Sequence, residues 1–217
     1  MIRAVLWDID GTLLDSEPFH FEAMVAVCAR HGHTLAQAEY DLLLGLSMPE
    51  VFARITAVQP LPLSLPQFMD GCNDHYVAHV HRVPARPGAR ERIEFVARQG
   101  IPQACVSNSG RRVVDANMKA LALPHALHFG ISRDDVTHGK PHPEPYRRAA
   151  ERLGVPPETC LVIEDSPVGA RAARAAGMVT VAWPQQAHLE FDTVDYHIAD
   201  LADLDWAGLC PPMPPHL

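Results

Sequence analysis

The sequence predicts an α/β protein, a parallel sheet covered by helices on both faces, with a small helical domain inserted after the first strand. Short apolar runs at residues 4–7, 104–106, 161–163 and 179–183 show no polar alternation, as strands buried on both faces require. Helix-periodic segments alternate with these runs, the order that builds a parallel sheet. From about Ser16 to Pro84 this rhythm lapses into irregular helical patterning, which marks an insertion.

At the start of the insertion, Ser16 suits an N-cap and Glu17 and Pro18 a first turn. Phe21, Met24, Val25 and Cys28 then follow i, i+3, i+4, i+7 spacing up to Gly32, so a helix is expected there. Val51, Phe52, Ile55, Phe68 and Tyr76 are spaced less regularly among prolines and read as further, loosely specified helix. Beyond the insertion, Tyr146, Ala149, Ala150 and Leu153 recur at helical spacing and stop at Gly154, and the alanine-rich segment from Pro167 stops at Gly177. The expected organisation is therefore a sheet core of residues 1–15 and 85–210, a helical insertion of residues 16–84, and a disordered tail at 211–217, where four of seven residues are proline.

Composition narrows the function. A chain of 217 residues, 47% hydrophobic and 20% charged, can bury a substantial core. It has no apolar run near the roughly 20 residues that span a bilayer, and a strand-like run stands close to the first residue, so the cytoplasm is the expected compartment. The five cysteines, at 28, 72, 105, 160 and 210, form no C-x-x-C pair and suit reduced, buried thiols better than bridges. A net charge of -8 without a basic run argues against nucleic acid or an anionic membrane as partner. A monomer or weak dimer is expected. An anionic substrate would need local positive charge, and the only lysines are Lys119 and Lys140.

Loops at the carboxyl ends of parallel strands converge on one crevice. Read at those positions, the chain offers Asp8 and Asp10, followed by Gly11 and Thr12, after the first strand; Ser107 and Asn108 after the second; and Glu164 and Asp165 after the run at 161–163. Lys140 follows Gly139 in the loop before the Tyr146 helix. Carboxylates gathered this way repel one another unless a hard cation neutralises them, and Mg2+ prefers such oxygen ligands. Asp8 can attack phosphorus and form an aspartyl phosphate. Asp10, two residues on, suits the general acid and then the general base. Ser107, Asn108 and Lys140 would cradle the phosphoryl oxygens, where charge gathers.

Residues 8–12, Asp-Ile-Asp-Gly-Thr, resemble the D-x-D-G-T signature of the haloacid dehalogenase superfamily. Val106, Ser107, Asn108 and Ser109 look like its second motif, Gly139, Lys140 and Pro141 its third, and Glu164, Asp165 and Ser166 its acidic fourth, in the family's order. The form E-D-S-x-x-G, residues 164–169, is similar to the branch holding sugar-phosphate phosphatases and β-phosphoglucomutases. The resemblance implies a Rossmann-like core with a helical cap. It also implies Mg2+ held by the Asp8 carboxylate, the Asp10 backbone carbonyl and Asp165, with Glu164 a nearby or direct ligand. On the first cap helix it makes His20, together with Glu17, a candidate for substrate binding.

The expected function is thus a Mg2+-dependent phosphatase for a small phosphorylated metabolite, such as a sugar phosphate. Its rival is a phosphomutase. In β-phosphoglucomutases the resemblance would place an Arg after the cap's Gly-x-Ser and a Lys further along. Here Met48 follows Gly45, Leu46 and Ser47, and Cys72 stands at the second position, leaving Arg54 or Arg82 to compensate. A passive Mg2+- or phosphate-binding module is the remaining alternative, disfavoured because Asp10 supplies an acid and base that a passive acceptor lacks. His75, His79 and His81 contain an i, i+4 pair but, with no carboxylate or cysteine pattern nearby in sequence, read as a solvated face and not as a second metal site.

Overall fold

Four buried apolar residues, Ala4–Trp7, form β1, and the chain then leaves the sheet for a run of helices. The computed structural model describes residues 1–43, 46–186, 189–192 and 194–211. It divides into two compact units, one of Met1–Asp15 with the chain from Pro84 onward, the other of Ser16–Val83. The sequence places Pro84 in the insertion, whereas the structure gives it to the sheet unit. The reason is local pairing: the Asp15 N–H donates to the Pro84 carbonyl at 3.0 Å, and Leu14 bridges Ala85. Of the expected tail, residues 212–217 lie outside the described residues.

The helical unit holds α1 (Glu17–Arg30), α2 (Gln37–Asp41), α3 (Met48–Val58) and α4 (Leu65–His79). Ser16 stands at the N-cap of α1, and its carbonyl accepts from the N–H groups of Phe19 and His20, but its side chain makes no capping bond. The ends of α3 and α4 are better specified. Ser47 N–H donates to Glu50 at 2.9 Å and Ser64 N–H to Gln67 at 2.8 Å, each satisfying a backbone donor at a helix start. The unit has its own core, with Ala23, Met24 and Val27 buried on α1 and Phe68, Cys72 and Tyr76 on α4.

In the sheet unit the chain continues through α5 (Ala89–Arg98), β2 (Gln103–Val106), α6 (Arg111–Leu121), β3 (Gly130–Ile131) and α7 (Glu144–Leu153). It ends with β4 (Cys160–Glu164), α8 (Pro167–Ala175), β5 (Val179–Ala182), β6 (Tyr196–His197) and α9 (Trp206–Leu209). All pairs are parallel, in the order β3-β2-β1-β4-β5-β6. This is the expected Rossmann-like α/β architecture. Leu6 sits between Ala104 and Val162, and Trp7 between Cys105 and Ile163. Because β2 and β4 flank β1, whatever follows these three strands must meet at one edge of the sheet. On one face, Leu6, Val106 and Val162 pack with Tyr146 and Ala149 of α7 and Ala172 of α8. Elsewhere in the unit the Trp7 ring stacks on Trp206 at 5.7 Å and its N–H reaches Gln103 at 2.9 Å. All five cysteines are buried free thiols. No described helix is long and apolar enough to cross a membrane.

Candidate active site

Asp8 is the first residue beyond β1, and its N–H still donates to the Ile163 carbonyl of β4 at 3.0 Å, so strand pairing fixes where its carboxylate stands. Ser107 is held the same way beyond β2, by a 2.9 Å bond to the Ile131 carbonyl. Glu164 ends β4 and is fully buried. The sheet thus brings Asp8, Ser107 and Glu164 together from positions 8, 107 and 164.

Lys140 lies buried among them. Its Nζ donates to Asp8 Oδ1 at 2.6 Å, to Glu164 Oε1 at 2.6 Å and to the Val106 carbonyl at 2.8 Å. An ammonium has three donors, so all are used, and Lys140 here balances the two carboxylates instead of offering a free donor to a phosphate. Burial opposes its charge, but Asp8 and Glu164 outweigh that and raise its pKa above the ordinary lysine value. Asn108 keeps Lys140 in place. Its side-chain amide donates to the Lys140 carbonyl at 3.0 Å, and its Oδ1 accepts from the Lys140 N–H at 2.8 Å, so the Asn108 side chain fixes the lysine loop.

Glu164 is saturated. Oε1 accepts from Lys140 and from the Tyr146 hydroxyl at 2.6 Å, and Oε2 accepts from the Ser166 hydroxyl at 3.1 Å and its N–H at 3.4 Å. Those four donors fill the capacity of a carboxylate. Gly169, in the first turn of α8, makes the room: a Cβ there would lie 1.7 Å from Glu164 Oε1.

Asp8 and Asp165 are differently placed. Asp8 Oδ2 is buried with no hydrogen-bond partner among the described residues, a costly state for a polar atom. Asp165 accepts from Thr12 at 3.1 Å, and Gly11, at φ +81°, leaves no room for a side chain, since a Cβ would fall 2.1 Å from Asp165 Oδ2. One ligand atom each from Asp8, Glu164 and Asp165 lie within 4.8 Å of one another. Burial raises the Asp8 carboxyl well above its ordinary value, helped by Glu164, Asp165 and Asp10 and opposed by Lys140. Burial and then the Glu164 charge push Asp165 up to about 7. Hard oxygens, a partnerless buried carboxylate atom and mutual repulsion together fit a small divalent cation.

Asp10 points toward β2 and α6, where Ser107 and Ser109 hydroxyls donate to its Oδ2 at 3.0 and 2.9 Å and Asn117 donates to Oδ1 at 3.1 Å. The Ser107 hydroxyl is therefore engaged by the carboxylate. Asn117 carries no sequence signal beyond its place on α6. Arg86 is also invisible in the spacing: buried over the Trp183 ring at 3.5 Å, it donates to the carbonyls of Gly11 and Trp183 at 2.8 and 2.9 Å and so anchors the turn after Asp10.

On the helical unit, Glu17 accepts a short hydrogen bond from the Tyr40 hydroxyl, and His20 stacks on Tyr76 with centroids 4.2 Å apart. Arg82 forks onto Glu22 at 2.7 and 3.1 Å, and Arg54 reaches the Leu42 carbonyl at 3.4 Å. Gly45, of the cap Gly-x-Ser, lies outside the described residues.

A sheet of this order, with an acidic cluster after its central strands and a buried lysine between them, defines a hydrolase of the haloacid dehalogenase type. The family model for haloacid dehalogenase-like hydrolases matches residues 2–177, and the chain belongs to that family. As an enzyme it falls with the phosphoric monoester hydrolases. It is 32% identical over 192 residues to hexitol phosphatase A of Escherichia coli, covering 83% of this chain and 82% of that one. It is 30% identical over 178 residues to a phosphorylated carbohydrates phosphatase of Thermotoga maritima, covering 82% of each. Among solved structures it is similar to CbbY from Rhodobacter sphaeroides in complex with xylulose-(1,5)bisphosphate, with a TM-score of 0.85, 31% identity and coverage of 96% of this chain and 99% of that one.

Proposed function

We propose that this protein is a Mg2+-dependent phosphatase that removes a phosphoryl group from a small phosphorylated carbohydrate by way of an aspartyl phosphate on Asp8. The observation that carries the reading is the Asp8 carboxylate, with one oxygen tied to Lys140 and the other buried without a hydrogen-bond partner among the described residues. The names of the relatives, two phosphatases of phosphorylated carbohydrates or hexitols and a sugar bisphosphate complex, support the substrate class.

Asp8, Asp165 and the Asp10 backbone carbonyl are the proposed metal ligands. Glu164, with its four acceptor sites occupied, serves by holding Lys140. Bound there, Mg2+ supplies charge neutralisation and polarises the phosphoryl oxygens. The Asp8 carboxylate attacks phosphorus, the P–O ester bond breaks, and its electron pair leaves with the substrate oxygen, which takes a proton from Asp10. Water then attacks the aspartyl phosphate and gives its proton back to Asp10, releasing inorganic phosphate and free Asp8. For this, Asp10 must exchange Ser107, Ser109 and Asn117 for the substrate oxygen, and the freed Ser107 hydroxyl becomes a donor to the phosphoryl group. Glu17 and His20 are proposed as substrate-binding residues on the sequence resemblance alone.

Turnover of a panel of phosphorylated sugars, polyols, nucleotides and glycolate by the native chain and Asp8→Asn tests the proposal, with both released phosphate and isomerised sugar measured. We expect phosphate release by the native chain with Mg2+, and loss of nearly all of it in the variant at unchanged fold. Substantial activity without the Asp8 carboxylate, or isomerisation faster than phosphate release, would overturn it.

A further inference from the structure

Three side chains of the helical unit converge on one another. His75 Nε2 lies 3.4 Å from Glu22 Oε1, the His75 and His79 rings stack with centroids 4.3 Å apart, and one ligand atom from each of the three residues lies within 4.8 Å of the other two. In sequence the carboxylate directly beside these histidines is Asp74; folding brings another, Glu22, to them across 53 residues, because α1 packs along α4.

The ring nitrogens are set for a cation. His79 Nδ1 is 2.7 Å from the His75 carbonyl oxygen. A carbonyl only accepts, so Nδ1 carries the proton and Nε2 keeps the lone pair, the tautomer usual in histidine ligands. His75 Nε2 donates to Glu22 in the metal-free chain, and a cation replaces that proton, which passes to solvent. Arg82 forks onto the same carboxylate at 2.7 and 3.1 Å, orienting it from outside. At 47% and 38% side-chain exposure, that ion pair is a weak competitor for the carboxylate.

We propose that Glu22, His75 and His79 form a transition-metal site for a borderline divalent ion of the Zn2+ class, separate from the carboxylate set around Asp8. Two imidazoles and one carboxylate are a three-ligand zinc set with a fourth position open, whereas Mg2+ disfavours imidazole. The bound ion cross-links α1 to α4. Within the sheet unit a second group, His138, His142 and Glu144, also brings ligand atoms within 4.8 Å, but both of its histidines are exposed, at 63% and 49% of their side chains, against 14% for His75.

Co2+, which reports tetrahedral nitrogen and oxygen ligation by its visible absorption, is the probe, titrated into the full chain with excess Mg2+ present. The comparison variants are His75→Ala/His79→Ala and His138→Ala/His142→Ala. We expect the absorption in the native chain and the second variant, and binding weaker by at least about 10- to 100-fold in the first. Absorption unchanged in the first variant, or lost only in the second, overturns the assignment. Should the first variant fail to fold, the native chain crystallised with Zn2+ decides the matter by anomalous scattering at the zinc edge. A peak among Glu22, His75 and His79 supports the site, and zinc found only elsewhere, or nowhere, refutes it.

Discussion

Lys140 shows what a single buried charge contributes. It touches Asp8 and Glu164 at 2.6 Å each, and both partners are buried. Breaking a buried pair from one side costs about 3–5 kcal/mol, because the remaining charge has lost its compensation. In Lys140→Met the Asp8 carboxyl can escape part of that cost by taking up a proton. Burial already raises the Asp8 pKa, and Lys140 is what opposes the rise, so without it the folded value climbs further above the unfolded one. Between those two values the folded chain binds a proton that the unfolded chain has released, and stability then falls as pH increases. Urea unfolding in EDTA should therefore show a small deficit for the variant near about pH 5 and a larger one near about pH 8. A deficit of equal size at both would mean that the carboxylates do not depend on the lysine.

At the scale of the element, α8 carries a glycine where a helix should disfavour one. Gly→Ala in a helix interior normally stabilises by about 1 kcal/mol. At Gly169 the new methyl would meet Glu164 Oε1 at 1.7 Å, and overpacking a full site costs about 1–3 kcal/mol, so the clash wins. Gly169→Ala should lower the melting temperature and cut turnover at least about tenfold, because a displaced Glu164 loses Lys140 and Tyr146 together. A variant more stable than the native chain and fully active would show that Glu164 is not held as described. Local signals and tertiary ones divide at this scale. The four strands of four or five residues are legible because each carries a mainly apolar run without polar alternation, whereas β3 and β6, of two residues each, are too short to carry a period. The starts of α3 and α4 were open to reading through Ser47 with Glu50 and Ser64 with Gln67, a capping pattern obscured by the prolines around it. Asp8, Lys140, Glu164 and Asp165 stand out because strand ends converge. Asn117, Arg86 and Glu22 do not, since each acts through a partner that only folding brings near, and the same holds for the reciprocal bonds that turn the Asn108 side chain into a brace for Lys140.

Across the whole sheet unit, the acidic cluster links stability to pH and, on the proposed function, to metal binding. Asp165 rises from an ordinary 3.8 to about 7, chiefly through burial and then through Glu164. From about pH 4 to about pH 7 the folded chain holds this proton and the unfolded chain does not, so the contribution of Asp165 to stability declines over that window. In the proposed function Mg2+ would bind the ionised Asp165 carboxylate and compete with the proton, so its apparent affinity should grow across the same range. A ligand at 100 times its Kd adds about 2.7 kcal/mol to the stability of the state that binds it. The expected outcome is a rise in melting temperature on adding Mg2+ to EDTA-treated protein that is small near about pH 5 and several degrees near about pH 8. Asp165→Asn, which keeps the shape but cannot titrate, should be less pH-sensitive without metal and lose most of the Mg2+ response. Melting curves over a pH series, with and without Mg2+, check both halves at once. If the Mg2+ shift is the same at every pH, or survives intact in Asp165→Asn, the cation is held by some other set of oxygens, and Asp8 with Asp165 must be given up as its ligands.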